Sequence, residues 1–116
     1  MRYRRLRLQD LLREEISSII HKDLKDPGFG LITIVDVRVS EDLRTAKIFY
    51  SVYGDEKEKE KTNDAIKRSR GYIKHLLVQR MKLKIMPDIH FVIDDTYEHM
   101  EKIGEIFKRI SHVPED

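Results

Sequence analysis

The stretch from Lys67 to Lys84, KRSRGYIKHLLVQRMKLK, holds seven Lys or Arg and no acid, in a chain whose net charge is only +2. Ile66, Ile73 and Leu77, with Leu76 and Leu83 beside them, fall on one face of a helix. Lys67 with Lys74, and Arg68 with His75 and Lys82, recur at seven-residue spacing on another. The pattern predicts a helical run with one face for a core and one for anions. Gly71 interrupts it at a cost of about 1 kcal/mol relative to alanine. It predicts either a close helix contact that admits no side chain or a kink that leaves the amides near Arg70 to Tyr72 open to a phosphate.

A basic run can be a solvated helix face. A face kept for solubility, however, mixes its signs and gains i,i+4 pairs, and this one contains no acid. The distribution of charge therefore points to nucleic acid where the net charge does not. Tyr72 and His75 are candidates for stacking on a base, and Tyr72 equally for packing at a helix crossing.

Upstream, Leu8, Leu11, Leu12, Ile16, Ile19, Ile20 and Leu24 keep a three-or-four spacing that predicts an amphipathic helix. Arg2, Arg4, Arg5 and Arg7 stand at its entry, where cations oppose the helix dipole. They read either as a frayed terminus or as a second phosphate-contacting patch. Lys25-Asp26-Pro27-Gly28-Phe29-Gly30 turns the chain. The odd positions from Leu31 to Val39 predict one face of a strand, with Asp36 and Arg38 on the other. Thr45 to Tyr53 predicts a second strand with Ala46, Ile48, Tyr50 and Val52 on one face, so the two make a hairpin around Ser40-Glu41-Asp42. Gly54 to Lys61 reads as a solvated connection, with Thr62 or Asn63 as a helix cap or a start earlier among the Glu and Lys residues.

Beyond the basic run, Met86-Pro87-Asp88 breaks the helix and Ile89, Phe91 and Ile93 form one face of a third strand. Asp95-Thr96-Tyr97-Glu98 has the form of a capping box for a last helix with an apolar stripe of Tyr97, Met100, Ile103, Phe107 and Ile110. Asp94 and Asp95, at a strand end, are better explained by capping than by acid-base chemistry or Mg²⁺.

One domain fits 116 residues. With no Cys, disulfides, thiolate metal sites and a cysteine nucleophile are excluded. No HxxxH or HExxH pairing links the five histidines, and no phosphate loop, nucleophile elbow or dinucleotide fingerprint occurs, so neither a metal nor a cofactor is expected and the chain does not read as an enzyme. No window approaches a membrane span, and the basic N-terminus leads into a charged, amphipathic segment instead of an apolar one, which predicts a cytoplasmic protein.

The element order is that of an α+β, type II KH-like fold, α-β-β-α-α-β, with a three-stranded sheet, helices packed on one face and an added C-terminal helix. The GxxG loop of most KH domains is missing. Asp26-Pro27, Gly30-Leu31-Ile32-Thr33-Ile34-Val35-Asp36-Val37, Val39-Ser40-Glu41-Asp42-Leu43, Ala46-Lys47-Ile48, Ser51-Val52 and Pro87-Asp88-Ile89-His90-Phe91 resemble the ribosome-binding factor A family over nearly the whole chain. In that family an Ala-x-Gly kink replaces GxxG, and the matching positions are Ser69, Arg70 and Gly71, with serine in place of alanine.

The resemblance implies a KH-like RNA-binding domain over residues 1–95, a C-terminal helix over 96–110 and a disordered tail over 111–116. It implies a bacterial, monomeric, non-catalytic factor that binds free small ribosomal subunits, aids late maturation of their RNA near its first helix and serves cold adaptation. The expected partner is the small subunit with its RNA, without membrane or small-molecule substrate. Arg4, Arg5, Arg7, Lys67, Arg68, Ser69, Arg70, Gly71, Lys74, His75, Arg80, Lys82 and Lys84 are the expected contacts. A protein-protein adaptor, acting through the last helix or the open sheet face, is the alternative.

Overall fold

The computed structural model describes residues 2–24 and 27–94: α1 (Arg2–Ser18), a π-helical turn (Ile19–Asp23), β1 (Leu31–Val39), β2 (Thr45–Tyr53), α2 (Glu56–Met81) and β3 (Asp88–Ile93). The expected last helix, its cap at Asp95 and the tail lie outside the described residues.

Helix α1 begins at Arg2, not at Leu8, so the N-terminal arginines belong to its first two turns and no acid offsets them there. Its apolar stripe buries Leu8, Leu12, Ile16, Ile19 and Ile20, while Leu11 is left exposed. The helix ends by widening. The Leu24 amide donates to the Ile19 carbonyl five residues back, at 2.9 Å, and Leu24 itself is extended. His21 fastens this end, with Nδ1 2.8 Å from the Ser17 carbonyl oxygen and Nε2 3.0 Å from that of Ile32 on β1.

The strand order is β1-β2-β3, with β1 antiparallel and β3 parallel to β2. The expected odd-numbered face of β1 is not continuous. Ile32 and Ile34 are buried together with Val37 and Val39, and Leu31, Thr33 and Val35 are exposed. The register shifts between Ile34 and Asp36, which places a bulge at Val35 and moves every later side chain to the other face. The Asp36 carboxylate accepts the Val37 amide at 2.9 Å beside the bulge. The turn to β2 is closed by side chains. The Ser40 hydroxyl donates to Asp42 at 2.6 Å, the Arg44 amide donates to the same carboxylate, and Leu43 takes a left-handed φ of 63°.

Helix α2 decides between the two starts offered for it and corrects a further expectation. It starts at Glu56, with the Asp55 carboxylate accepting the Glu58 amide at 2.9 Å, so the earlier start among the Glu and Lys residues is the one realised, and residues 56–61 are helix and not a connection. Thr62 is buried, with its hydroxyl 3.4 Å from the Gly28 carbonyl oxygen, and Asn63 accepts from the Tyr50 phenol; neither is a cap. The helix then runs without a break through Ser69-Arg70-Gly71, where two helices were expected. It stops at Met81 because Lys82 is left-handed, at φ 50°, so Lys82 to Lys84 lie beyond it.

Both helices cover one face of the sheet, α1 against β1 and α2 against β2. The layer between them holds Leu12, Ile16, Ile19, Ile48, Ile73, Leu77 and Ile89, all essentially inaccessible to solvent. Each such side chain contributes roughly 1.5 to 3 kcal/mol by leaving water. Tyr50 sits in this layer edge-on to Phe91, and burial raises its phenol pKa. The opposite sheet face has no helix on it among the described residues.

Candidate nucleic-acid interface

Because α2 is continuous, one helical wheel applies from end to end, at roughly 100° per residue. Ala65, Ile66, Ser69, Ile73 and Leu77 define the buried side. Lys67, Arg70 and Lys74 form an exposed ridge along the β3 side, spaced three and four apart. Arg68, Tyr72 and His75 form a second ridge on the other flank, and Tyr72 is 52% exposed, so it is not consumed by a helix crossing. Gly71 lies between the ridges. A Cβ there would meet nothing within 4 Å, which rules out the close helix contact, one of the two readings of this glycine. Its amide and those of Arg70 and Tyr72 lie within the helix and are spent on helical hydrogen bonds. What the glycine provides is a strip of bare backbone between two basic ridges.

The predicted contacts do not all share this surface. Ser69 is buried at 8% exposure, facing the core. Arg80 is turned back onto α1, 2.8 Å from Asp23 and 3.8 Å from Glu15. Lys82 and Lys84 are exposed in the loop after the helix.

The N-terminal group is brought toward the first ridge by the sheet. Gln9, one turn inside Arg5, accepts the Val39 amide at 3.0 Å, and Arg70 donates to the Ile89 carbonyl at 2.8 Å. Val39, Ala46 and Ile89 are neighbours across the three strands. The start of α1 and Arg70 are therefore anchored at one end of the sheet, on strands roughly 10 Å apart. Arg4 and Arg7 are exposed there, and the Arg5 Nε is buried without a hydrogen-bond acceptor.

Asp88 was missed in the sequence. Its carboxylate lies 3.8 Å from Arg70, 3.9 Å from Lys74 and 3.0 Å from the His90 Nε2, so one acid at the mouth of β3 partly neutralises the ridge. Its only sequence signal is the Pro87-Asp88 break; the Arg70 and Lys74 partners come from another element. Among the described residues no group of three or more His, Cys, Asp or Glu converges as a metal site would require.

The family model for ribosome-binding factor A matches residues 4–107. Ribosome-binding factor A of Halothermothrix orenii is 46% identical over 114 residues, covering 98% of this chain and 93% of that one. That of Caldanaerobacter subterraneus subsp. tengcongensis is 40% identical over 112 residues, covering 96% and 92%. The crystal structure of ribosome-binding factor A from Thermus thermophilus superposes with a TM-score of 0.66 at 22% identity, over 77% of this chain and 93% of its own. A Thermus thermophilus homology model fitted into an electron cryo-microscopy map of a 30S complex gives 0.58 at 24% identity, over 79% and 92%. The two structural matches establish the shared KH-like, α+β fold.

Proposed function

Since this chain belongs to the ribosome-binding factor A family, we propose that it binds the free small ribosomal subunit through RNA and assists the late maturation of that RNA, near its first helix. The observation that carries this is the basic ridge Lys67, Arg70 and Lys74, with no acid between them on an uninterrupted helix, at the same sheet end as Arg4, Arg5 and Arg7. The factor works by binding energy alone, stabilising one conformation of the immature RNA, with no catalysed reaction and no cofactor. It acts as a cytoplasmic monomer, and its role in cold adaptation follows from RNA misfolding being harder to escape when cold. The placement of the homologous fold in a 30S complex supports the partner.

Cosedimentation with free small subunits and with complete ribosomes tests the reading. Selective association with the free subunit is expected, and equal association with complete ribosomes would overturn it. Each phosphate contact should add about 0.7 to 0.9 to the log-log salt slope of RNA binding.

A further inference from the structure

Lys47 stands in the middle strand on the sheet face that the helices leave open. Its partners in register are Arg38 on β1 and His90 on β3, so three basic side chains make one exposed row across the sheet. Like charges directly opposite one another in a sheet are destabilising, and fold stability therefore does not account for the row. Arg38 is held by Asp36 at 3.1 Å and His90 by Asp88 at 3.0 Å, each an acid two residues away on the same strand. Lys47 makes no ion pair among the described residues.

The rows that follow are not those of a plain apolar face. Next comes Asp36, Phe49 and Val92, with the Arg38 guanidinium 5.9 Å from the Phe49 ring centre, then Thr33 with Ser51, then Leu31 with Tyr53, which is 78% exposed. Along β2 the open face thus reads cation, aromatic, hydroxyl, aromatic, at intervals of roughly 6.7 Å. Cations that hold phosphates, interleaved with rings on which bases stack, are the means by which proteins hold single-stranded nucleic acid. Asp88 also joins this face to α2, since one carboxylate oxygen meets His90 and the other meets Arg70 and Lys74 around the β3 edge.

We propose that the open sheet face is a second surface for single-stranded RNA, with a phosphate held by Arg38, Lys47 and His90 and bases stacked on Phe49 and Tyr53. The inference takes its ligand class from the RNA reading of α2 and extends the path of the RNA around the edge of β3.

The test uses the full chain, a short labelled oligouridylate, and amide shifts read by NMR. RNA should shift Lys47, Phe49 and Tyr53. Lys47→Gln should lower the salt slope by about 0.7, and Tyr53→Leu should weaken binding roughly tenfold. Both positions are exposed, so the fold is retained, which circular dichroism checks. The Lys67→Gln/Lys74→Gln variant should lower the slope separately and leave the sheet shifts in place. Sheet resonances that do not move, with affinity altered only by the α2 variant, would overturn the open-face site and leave the α2 reading standing. No binding response to either set removes both. Protection of this face by subunit proteins alone, with free RNA leaving it untouched, would make it a protein-docking surface and overturn the proposal.

Discussion

Arg80 of α2 and Asp23 of the turn that ends α1 meet at 2.8 Å, with both side chains about two-thirds buried. Arg80, in the last turn of the basic helix, is thereby committed to holding the two helices together. Arg80→Ala should cost about 1 kcal/mol of stability, as a partly exposed ion pair does, and should leave the salt slope of RNA binding unchanged. Urea denaturation and salt titration check this together. A slope lowered by nearly one would return Arg80 to the RNA interface.

Gly71 is exposed, lies inside a continuous helix and has open space where its side chain would be. Gly71→Ala should therefore stabilise the protein by about 1 kcal/mol, a rise in Tm of roughly 4 °C. RNA affinity should fall at the same time if the RNA backbone lies in the bare strip between the ridges. Calorimetry and an RNA titration read both. A lower Tm would mean that the helix at this position bends in a way only glycine allows.

Lys82 ends α2 in the left-handed conformation, which costs a side chain roughly 1 kcal/mol and glycine nothing. Lys82→Gly should raise stability by about that amount. If Lys82 also touches RNA, the salt slope should drop by about 0.7 to 0.9 in the same variant, so one substitution separates its two roles.

These positions also show where the sequence was legible. The apolar spacing in α1 and α2 and the alternation in β2 located the core residues, because burial imposes a period that composition must follow. The bulge at Val35 was not legible, since Leu31 to Val35 are all β-favouring and either phase satisfies the pattern until cross-strand register decides. The unbroken passage of α2 through Gly71 was missed for a similar reason. A glycine weakens a helix by an amount that the packing of Ile66, Ile73 and Leu77 exceeds. Charge found the basic residues but not their counter-charges: Asp88 reaches the ridge from β3, and Asp23 and Glu15 draw Arg80 away from it.

Asp42 is fully exposed, and its pKa is lowered first by the Ser40 hydroxyl and then by the Arg44 amide. A depressed folded-state pKa contributes stability above the unfolded value and loses it as pH falls through the folded one. Asp42→Asn should be less stable than the parent at neutral pH, and the gap should close in acid, below about pH 4. Urea melts at a series of pH values check it; a gap that persists in acid would show that the turn depends on packing around Leu43 instead of on the charge.

Asp88 offers the sharpest handle on the ridge itself. Its carboxylate offsets Arg70 and Lys74 from 3.8 and 3.9 Å, and it competes for the same cations that a phosphate would use. Asp88→Asn keeps the size of the side chain and removes the charge. Stability should change by no more than about 1 kcal/mol, because the pairs are half-exposed. RNA affinity should rise at low ionic strength, and the advantage should shrink as salt approaches about 1 M, where screening acts over roughly 3 Å. Affinity measured across a salt series gives both quantities. Unchanged affinity at low salt would place the RNA away from Arg70 and Lys74, and with it the argument that the β3 side of α2 is the binding ridge would fail.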